Sequence, residues 1–294
     1  MDTQLPGADA GGVVDSKERS RLSIFWLLGG AYAAMLLFLL LVEDKLVFFP
    51  DTQLTDTPRN HGAEFEDVAV TTTDAVKLHG WWIPGKWARV SLLFMHGNAG
   101  NISDRAENAA KLAAMGINVL LFDYRGYGKS EGHPSEAGVY LDARAMLEHL
   151  LARPEVDPSR IVYFGRSLGA AVAIELATHR TPAALIAESP FCSIKEMAGG
   201  MFPYSLFSPF VPRHYDNLGR IARVACPTLV IHGTPDEVIP FEHGRRVFAA
   251  APEPKQFFDK GGLHNDLYGT NPKAYFAMLA EFLAPVAAPR PAAR

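Results

Sequence analysis

Ile161-Val162-Tyr163-Phe164-Gly165-Arg166-Ser167-Leu168-Gly169 is the stretch that decides the fold. An apolar run of strand character ends in a G-x-S-x-G pentapeptide, and a helix-like run from Ala170 to Thr178 follows. In that strand, turn, helix setting a serine hydroxyl stands exposed above a parallel sheet. Glycine is needed at both ends because the strand, the turn and the helix approach one another closely. Taken alone, Ser167 could be an ordinary helix-capping serine. Asp236 and then His264 lie downstream, in the order in which such an elbow finds its acid and its base.

Around this stretch the chain alternates between short strand-like and helical runs from Glu66 onward, the pattern of a largely parallel sheet with crossover helices. Strands are expected at 67–72, 76–83, 89–95, 118–122, 160–164, 183–187, 228–232 and 255–259. Helical periodicity fits 103–114, 136–152, 168–179, 242–250 and 272–283, the first capped near Ser103. No helix separates the first two strands. The fold class is therefore α/β, an eight-stranded, mostly parallel sheet with helices on both faces. Residues 194–222 interrupt the alternation with Met201, Phe202, Leu206, Phe207 and other large apolar side chains among prolines and glycines, and read as a small lid.

Composition narrows the function. In 294 residues, 48% hydrophobic and 20% charged, one large α/β domain and an appendage fit. A net charge of -4 and a pI near 6.2 give no basic field for a nucleic-acid partner. Cys192 and Cys226 are too few for a disulfide framework and lack C-x-x-C spacing; two buried thiols, or one bridge, remain open.

Leu22 to Val42 carries no charge and is long enough, at about 1.5 Å per residue, to cross a hydrocarbon core of about 30 Å. It reads as a transmembrane helix. A cleaved signal peptide would need a shorter apolar core with small residues at its exit, whereas this one leaves through Leu41-Val42-Glu43-Asp44. Lys17, Arg19 and Arg21 precede it, so the N-terminus is expected in the cytoplasm and the catalytic part on the non-cytoplasmic side. The expected organisation is a disordered tail at 1–21, the anchor at 22–42, a linker at 43–65, the domain at 66–283 and a disordered tail at 284–294. Within the linker, the apolar Leu46 to Pro50 is expected to pack on the domain.

The chemistry follows from residue types. Ser167 is the candidate nucleophile, activated by an adjacent base. His264, in a Gly-rich loop after the last strand, is the candidate base, histidine being the residue type suited to proton exchange near neutrality. His96 and His232 precede glycines at strand ends, where turn hydrogen bonding explains them. Asp236 is the candidate orienting acid, with a turn around Pro235 as the plainer explanation and Glu237 and Glu188 as substitutes. Backbone N–H groups of Leu168 and Asn98 are the candidate oxyanion hole. The loop His96 to Asn101 lacks the lysine of a phosphate-binding loop. Phe202, Leu206 and Phe207 are the candidate substrate-binding lid. No cofactor and no metal are expected, and the oligomeric state is open.

The segments HGNAGN (96–101), FDYRGYGKSEG (122–132), GRSLGAAVA (165–173), HGTPDEVIP (232–240) and GLHND (262–266) together resemble the Bem46-like branch of the α/β-hydrolases and its ABHD relatives, close to the serine aminopeptidase S33-like hydrolases. The resemblance covers roughly residues 46 to 283. It implies the α/β-hydrolase fold and a Ser, Asp, His triad without cofactor, and falls on Ser167, Asp236 and His264. Some members act on thioesters of lipidated proteins; this chain has a membrane segment where those carry a cysteine-rich lipidated N-terminus. The expectation is a membrane-anchored serine hydrolase cleaving a carboxylic ester or thioester of an apolar, lipid-like substrate. An aminopeptidase or amidase, with Glu188 or Glu131 holding the substrate ammonium, is the enzymatic alternative. A catalytically inert scaffold is the non-enzymatic one.

Overall fold

The protein is described by a computed structural model over residues 16–200, 203–210, 214–259, 261–265 and 267–289. It divides into two units, Met1–Glu43 and Asp44–Arg294.

The N-terminal unit holds most of helix α1 (Ser16–Val47), so the segment 16–21, expected as disordered tail, is helical; residues 1–15 lie outside the described residues. Apolar side chains such as Phe25, Trp26 and Leu27 are exposed along it. Among the described residues no helix is long and apolar enough to cross a membrane. Of the expected span, the side chains of Leu22 and residues 40–42 lie outside the described ones, leaving a run from 23 to 39.

The second unit opens with a two-residue strand, β1 (Phe49–Pro50), followed by a 3-10 turn at Pro58–His61. Strands β2 (Glu66–Thr71), β3 (Lys77–Ile83) and β4 (Val90–Met95) come next, then a second two-residue strand, β5 (Ala99–Gly100). Helix α2 (Ala106–Ala114), strand β6 (Ile117–Phe122), helix α3 (Glu136–Leu151), strand β7 (Ile161–Arg166) and helix α4 (Leu168–His179) build the centre. Strand β8 (Ala184–Glu188) leads into helices α5 (Ile194–Gly199) and α6 (Asn217–Ile221) of the expected lid. Strand β9 (Thr228–His232), helix α7 (Phe241–Ala250), strand β10 (Lys255–Asp259) and helices α8 (Leu267–Thr270) and α9 (Pro272–Ala287) complete it.

The eight long strands form one sheet in the order β10-β9-β8-β7-β4-β6-β3-β2. Only β3 runs against the others: it pairs antiparallel with β2 on one side and with β6 on the other. Side chains alternate between two cores, as the two-residue period of a strand requires. On β4, Leu93 and Met95 face a core shared with α3, α4 and α7 through Met146, Val172 and Val247; Leu92 and Phe94 face one shared with α2 and α9 through Leu112 and Leu279. Both faces are thereby covered, which is why these strands read as continuous apolar runs. The order reverses around β4, between β6 and β7, which makes the carboxyl ends of β4 and β7 a topological switch point, the place where open α/β sheets bind ligands.

The linker segment Leu46 to Pro50 packs on the domain through buried Phe48, as expected; β1 pairs parallel with β5, and Asn101 Nδ2 donates to Asp51 O and Gln53 O at 3.1 and 2.7 Å. Backbone pairing and the side chains of Asn98 and Asn101 hold the segment, and neither leaves a hydrophobic period to read. Two expectations need correction. The cap near Ser103 is Asn101, whose side chain accepts the Ser103 N–H at 2.8 Å while Asp104 accepts the Asn101 N–H at 3.1 Å. The last helix runs past 283 to Ala287 despite Pro285, because Arg160 supplies donors to Ala287 O at 3.0 Å and Ala288 O at 2.8 Å. Cys192 and Cys226 are both free and buried.

Candidate active site

Ser167 sits between β7 and α4 with φ 55° and ψ -114°, a left-handed conformation that a side chain rarely adopts. Such a residue costs on the order of 1–3 kcal/mol and persists only where its surroundings fix it. Here they do so through the Ser167 N–H donating to Glu188 O at 2.8 Å and the Ala170 N–H donating to Ser167 O at 3.0 Å. The glycines of the pentapeptide are explained by contact: a Cβ on Gly165 would lie 2.1 Å from Gly169 O, and one on Gly169 would lie 1.9 Å from Met95 O. Although Ser167 holds the N-cap position of α4, its side chain makes no capping hydrogen bond. The plain capping explanation is not what the fold uses.

Asp236 lies in the loop between β9 and α7, and His264 in the loop after β10. His264 Nδ1 is 2.8 Å from Asp236 Oδ2. Ser189 Oγ donates to the same oxygen at 2.9 Å, while Oδ1 accepts the N–H groups of Val238 and Ile239 at 3.0 and 2.8 Å. Burial works to raise the Asp236 pKa, but His232, His264 and the Ile239 N–H together hold the carboxyl well below the usual range. An ionised carboxylate only accepts, so Nδ1 of His264 carries a proton, and in the neutral ring Nε2 is the nitrogen with the lone pair. The backbone of His264 is fixed as well, its N–H donating to Glu237 Oε2 at 3.0 Å and its carbonyl accepting Arg166 Nη2 at 2.6 Å. Arg166 precedes Ser167, so the histidine loop is fastened to the elbow.

The substitutes for Asp236 are engaged elsewhere. Glu237 serves the His264 backbone, not its ring. Glu188 is fully buried, with Arg166 Nε 3.2 Å from its Oε1 and the Tyr275 hydroxyl donating to its Oε2. A turn does exist here, with the Asp236 N–H donating to Gly233 O at 3.1 Å, but it places Pro235 at its third position where a type I turn with proline second was expected, and it coexists with the Asp236–His264 pair.

The loop after β4 lies against the elbow: the Cβ position of Gly97 is 3.8 Å from Ser167 Cβ. Asn98 is held by its side chain donating to Val47 O at 2.8 Å and by its carbonyl accepting the Phe49 N–H at 2.9 Å and the Tyr127 hydroxyl at 2.6 Å. Among the described residues, the N–H groups of Asn98 and Leu168 donate to no backbone carbonyl. His96 is buried, its Nδ1 2.7 Å from Gly97 O; burial, aided by Arg105, pulls its pKa down to about 3, so the ring is neutral. His232, with Nε2 3.0 Å from Ile239 O, is likewise a turn-holding residue.

Residues beyond the expected set support the site. Ser189 bonds the acid, Arg166 the histidine loop, and Tyr124 and Tyr127 the loop after β4, Tyr124 through His96 O at 3.1 Å. The two tyrosines belong to the FDYRGYGKSEG segment, so their importance was signalled without their role; Ser189 had no signal beyond following a strand. Of the expected lid residues, Leu206 is exposed, Phe207 half-buried, and Phe202 lies outside the described residues. Cys192, Glu196 and His243 bring potential metal-ligand atoms within 4.8 Å of one another. As they stand they are not prepared as ligands. His243 Nδ1 accepts the Cys192 N–H at 3.1 Å, Glu196 pairs with Arg246, and burial pushes the Cys192 thiol up to about 11.

A strained serine after a central parallel strand, with an aspartate-bound histidine fastened beside it, defines an α/β-hydrolase. Comparison with known proteins agrees. The family described as serine aminopeptidase, S33, matches residues 87–219, a stretch that holds Ser167 and ends before Asp236 and His264. Protein bem46 of Schizosaccharomyces pombe is 35% identical over 239 residues, 78% of this chain and 79% of its own. An uncharacterized protein of Mycobacterium tuberculosis is 41% identical over 237 residues, 80% and 84% of the two chains. The α/β hydrolase domain-containing protein WAV2 of Arabidopsis thaliana is 34% identical over 289 residues, 89% and 94%. Among solved structures, the Pyrococcus furiosus esterase Pf2001 superposes with a TM-score of 0.70 at 23% identity, covering 81% of this chain and 98% of its own. The chain belongs to the Bem46-like branch of the α/β-hydrolases.

Proposed function

We propose that the protein is a membrane-anchored serine hydrolase that cleaves carboxylic esters or thioesters through an acyl-enzyme. The observation that carries this reading is the 2.8 Å contact between His264 Nδ1 and Asp236 Oδ2, which leaves Nε2 as a base on a loop bonded to the elbow of Ser167. In the proposed reaction Nε2 takes the Ser167 proton as Oγ attacks the carbonyl carbon. The N–H groups of Leu168 and Asn98 bind the oxyanion. His264 then returns the proton to the leaving alkoxide or thiolate, and water repeats the sequence on the acyl-enzyme. Asp236, fixed by four donors, holds the tautomer and stabilises the imidazolium. Leu206 and Phe207 offer the acyl chain an apolar cover.

The anchor is part of the proposal. Leu22 to Val42 inserts with Lys17, Arg19 and Arg21 on the cytoplasmic side, which leaves the second unit on the other. An aminopeptidase needs a free carboxylate for the substrate ammonium, and neither candidate supports it: Glu188 is committed to Arg166 and Tyr275, and Glu131 pairs with Lys77 at 3.6 Å on the surface.

A p-nitrophenyl ester series tests the substrate class. Each added methylene is expected to raise kcat/KM by up to roughly fourfold, about 0.8 kcal/mol, until the pocket is filled. A flat series together with rapid cleavage of aminoacyl-p-nitroanilides would replace the esterase reading with the peptidase one.

A further inference from the structure

Six large apolar side chains of the second unit are exposed among the described residues: Leu46, Phe49, Trp87, Leu206, Val238 and Leu263. Single exposed apolar residues need no explanation; their grouping does. Strands β4, β7, β8, β9 and β10 run parallel, so the loops that follow them leave one edge of the sheet, the edge that carries Ser167. Leu206 follows β8, Val238 follows β9 two residues after Asp236, and Leu263 follows β10 beside His264. Leu46 and Phe49 flank Val47, whose carbonyl accepts Asn98 Nδ2 in the loop after β4. Trp87 alone precedes β4, at the opposite edge. Val238 and Leu263 thus lie beside Asp236 and His264 in loops at that edge, and Leu46 and Phe49 lie on the segment bonded to the loop after β4.

The chain itself says what faces them. Val42 ends the apolar segment, and Val47 is already bonded to the loop that carries the Asn98 N–H. Five residues reach at most about 18 Å in any conformation. With Leu22 to Val42 in a bilayer, the edge carrying Ser167 cannot leave the lipid surface by more than that.

We propose that Leu46, Phe49, Val238 and Leu263 form an apolar collar seated in the lipid headgroup layer, through which the enzyme draws a membrane-resident acyl ester or thioester. This rests on the anchor and the hydrolase reading above. It names the source of the substrate: the acyl chain passes from the bilayer to Ser167 without crossing water.

The test uses the full chain reconstituted in phosphatidylcholine vesicles. Because Cys192 and Cys226 are buried, a cysteine placed at Phe49 or at Trp87 can be labelled selectively with an environment-sensitive fluorophore. The label at 49 is expected to shift to the blue and to be quenched by lipids spin-labelled near the headgroup, and the label at 87 to do neither. Equal behaviour at the two positions would overturn the collar. This readout needs no turnover, so it separates failure of the collar from failure of the hydrolase reading. In the second arm, Leu46→Glu is expected to slow hydrolysis of a long-chain acyl ester embedded in the vesicles about tenfold or more while leaving soluble p-nitrophenyl acetate within about twofold. Equal rates on the embedded ester for variant and wild type, or equal loss on both substrates, would overturn the proposed route.

Discussion

Asp236 shows how far a single residue can be read. Its place after the seventh long strand and ahead of His264 marked it in the sequence, and the fold sets its carboxylate against the histidine ring. Asp236→Asn is expected to keep the fold and lower kcat by about 10⁴-fold, because an amide no longer selects the Nδ1-protonated tautomer. Ser189→Ala removes one of four donors to an ionised group, a loss of about 1.5–3 kcal/mol, and is expected to lower kcat only about 10- to 100-fold. Steady-state kinetics on purified, folded variants would decide; a larger loss for Ser189→Ala than for Asp236→Asn would contradict these roles. Ser189 could not be found in advance because a serine after a strand has no signature of its own. Its partner, Asp236, is 47 residues away in sequence and meets it only once β8 and β9 pair.

At the scale of the element, the strands were legible because burial on both faces makes them unbroken apolar runs between glycines and prolines. The elbow was legible because close backbone contact admits only glycine at 165 and 169. Elements that rest on backbone bonds, such as β1 and β5, left no such trace. The loop after β4 carries a pH dependence that the sequence hid. His96 follows β4 directly, is buried, and has its pKa pulled down to about 3 by desolvation and by Arg105. Below the ordinary histidine value of about 6.5 the unfolded chain takes up a proton that the folded ring refuses. Stability is therefore intact above about pH 6.5 and falls by about 1.4 kcal/mol per pH unit as the pH drops towards the folded value. Urea midpoints measured from pH 7 to pH 4 should fall, and should fall less steeply in His96→Asn. Identical slopes would show that His96 is not the group responsible.

For the whole molecule, the α/β-hydrolase unit was foreseeable from alternation and motif order, whereas the N-terminal unit was foreseeable only as an apolar segment with a charge bias. Within that segment the described side chains run from 23 to 39, so its length as a span rests on the sequence. Anchoring predicts that carbonate at high pH leaves the protein in the membrane. The orientation predicts that protease added to intact cells stripped of their outer barrier cuts the second unit. Release of a shortened soluble form would indicate cleavage instead, and protection from protease would place the second unit in the cytoplasm.

The central claim, that Ser167 is a nucleophile activated by His264, is tested most directly by reacting the full chain in detergent with a fluorophosphonate and mapping the adduct by peptide mass. One phosphonyl group on the peptide containing Ser167, absent in Ser167→Ala and much slower to form in His264→Ala, is the expected result. An unlabelled wild type, or equal labelling of wild type and Ser167→Ala, would contradict it.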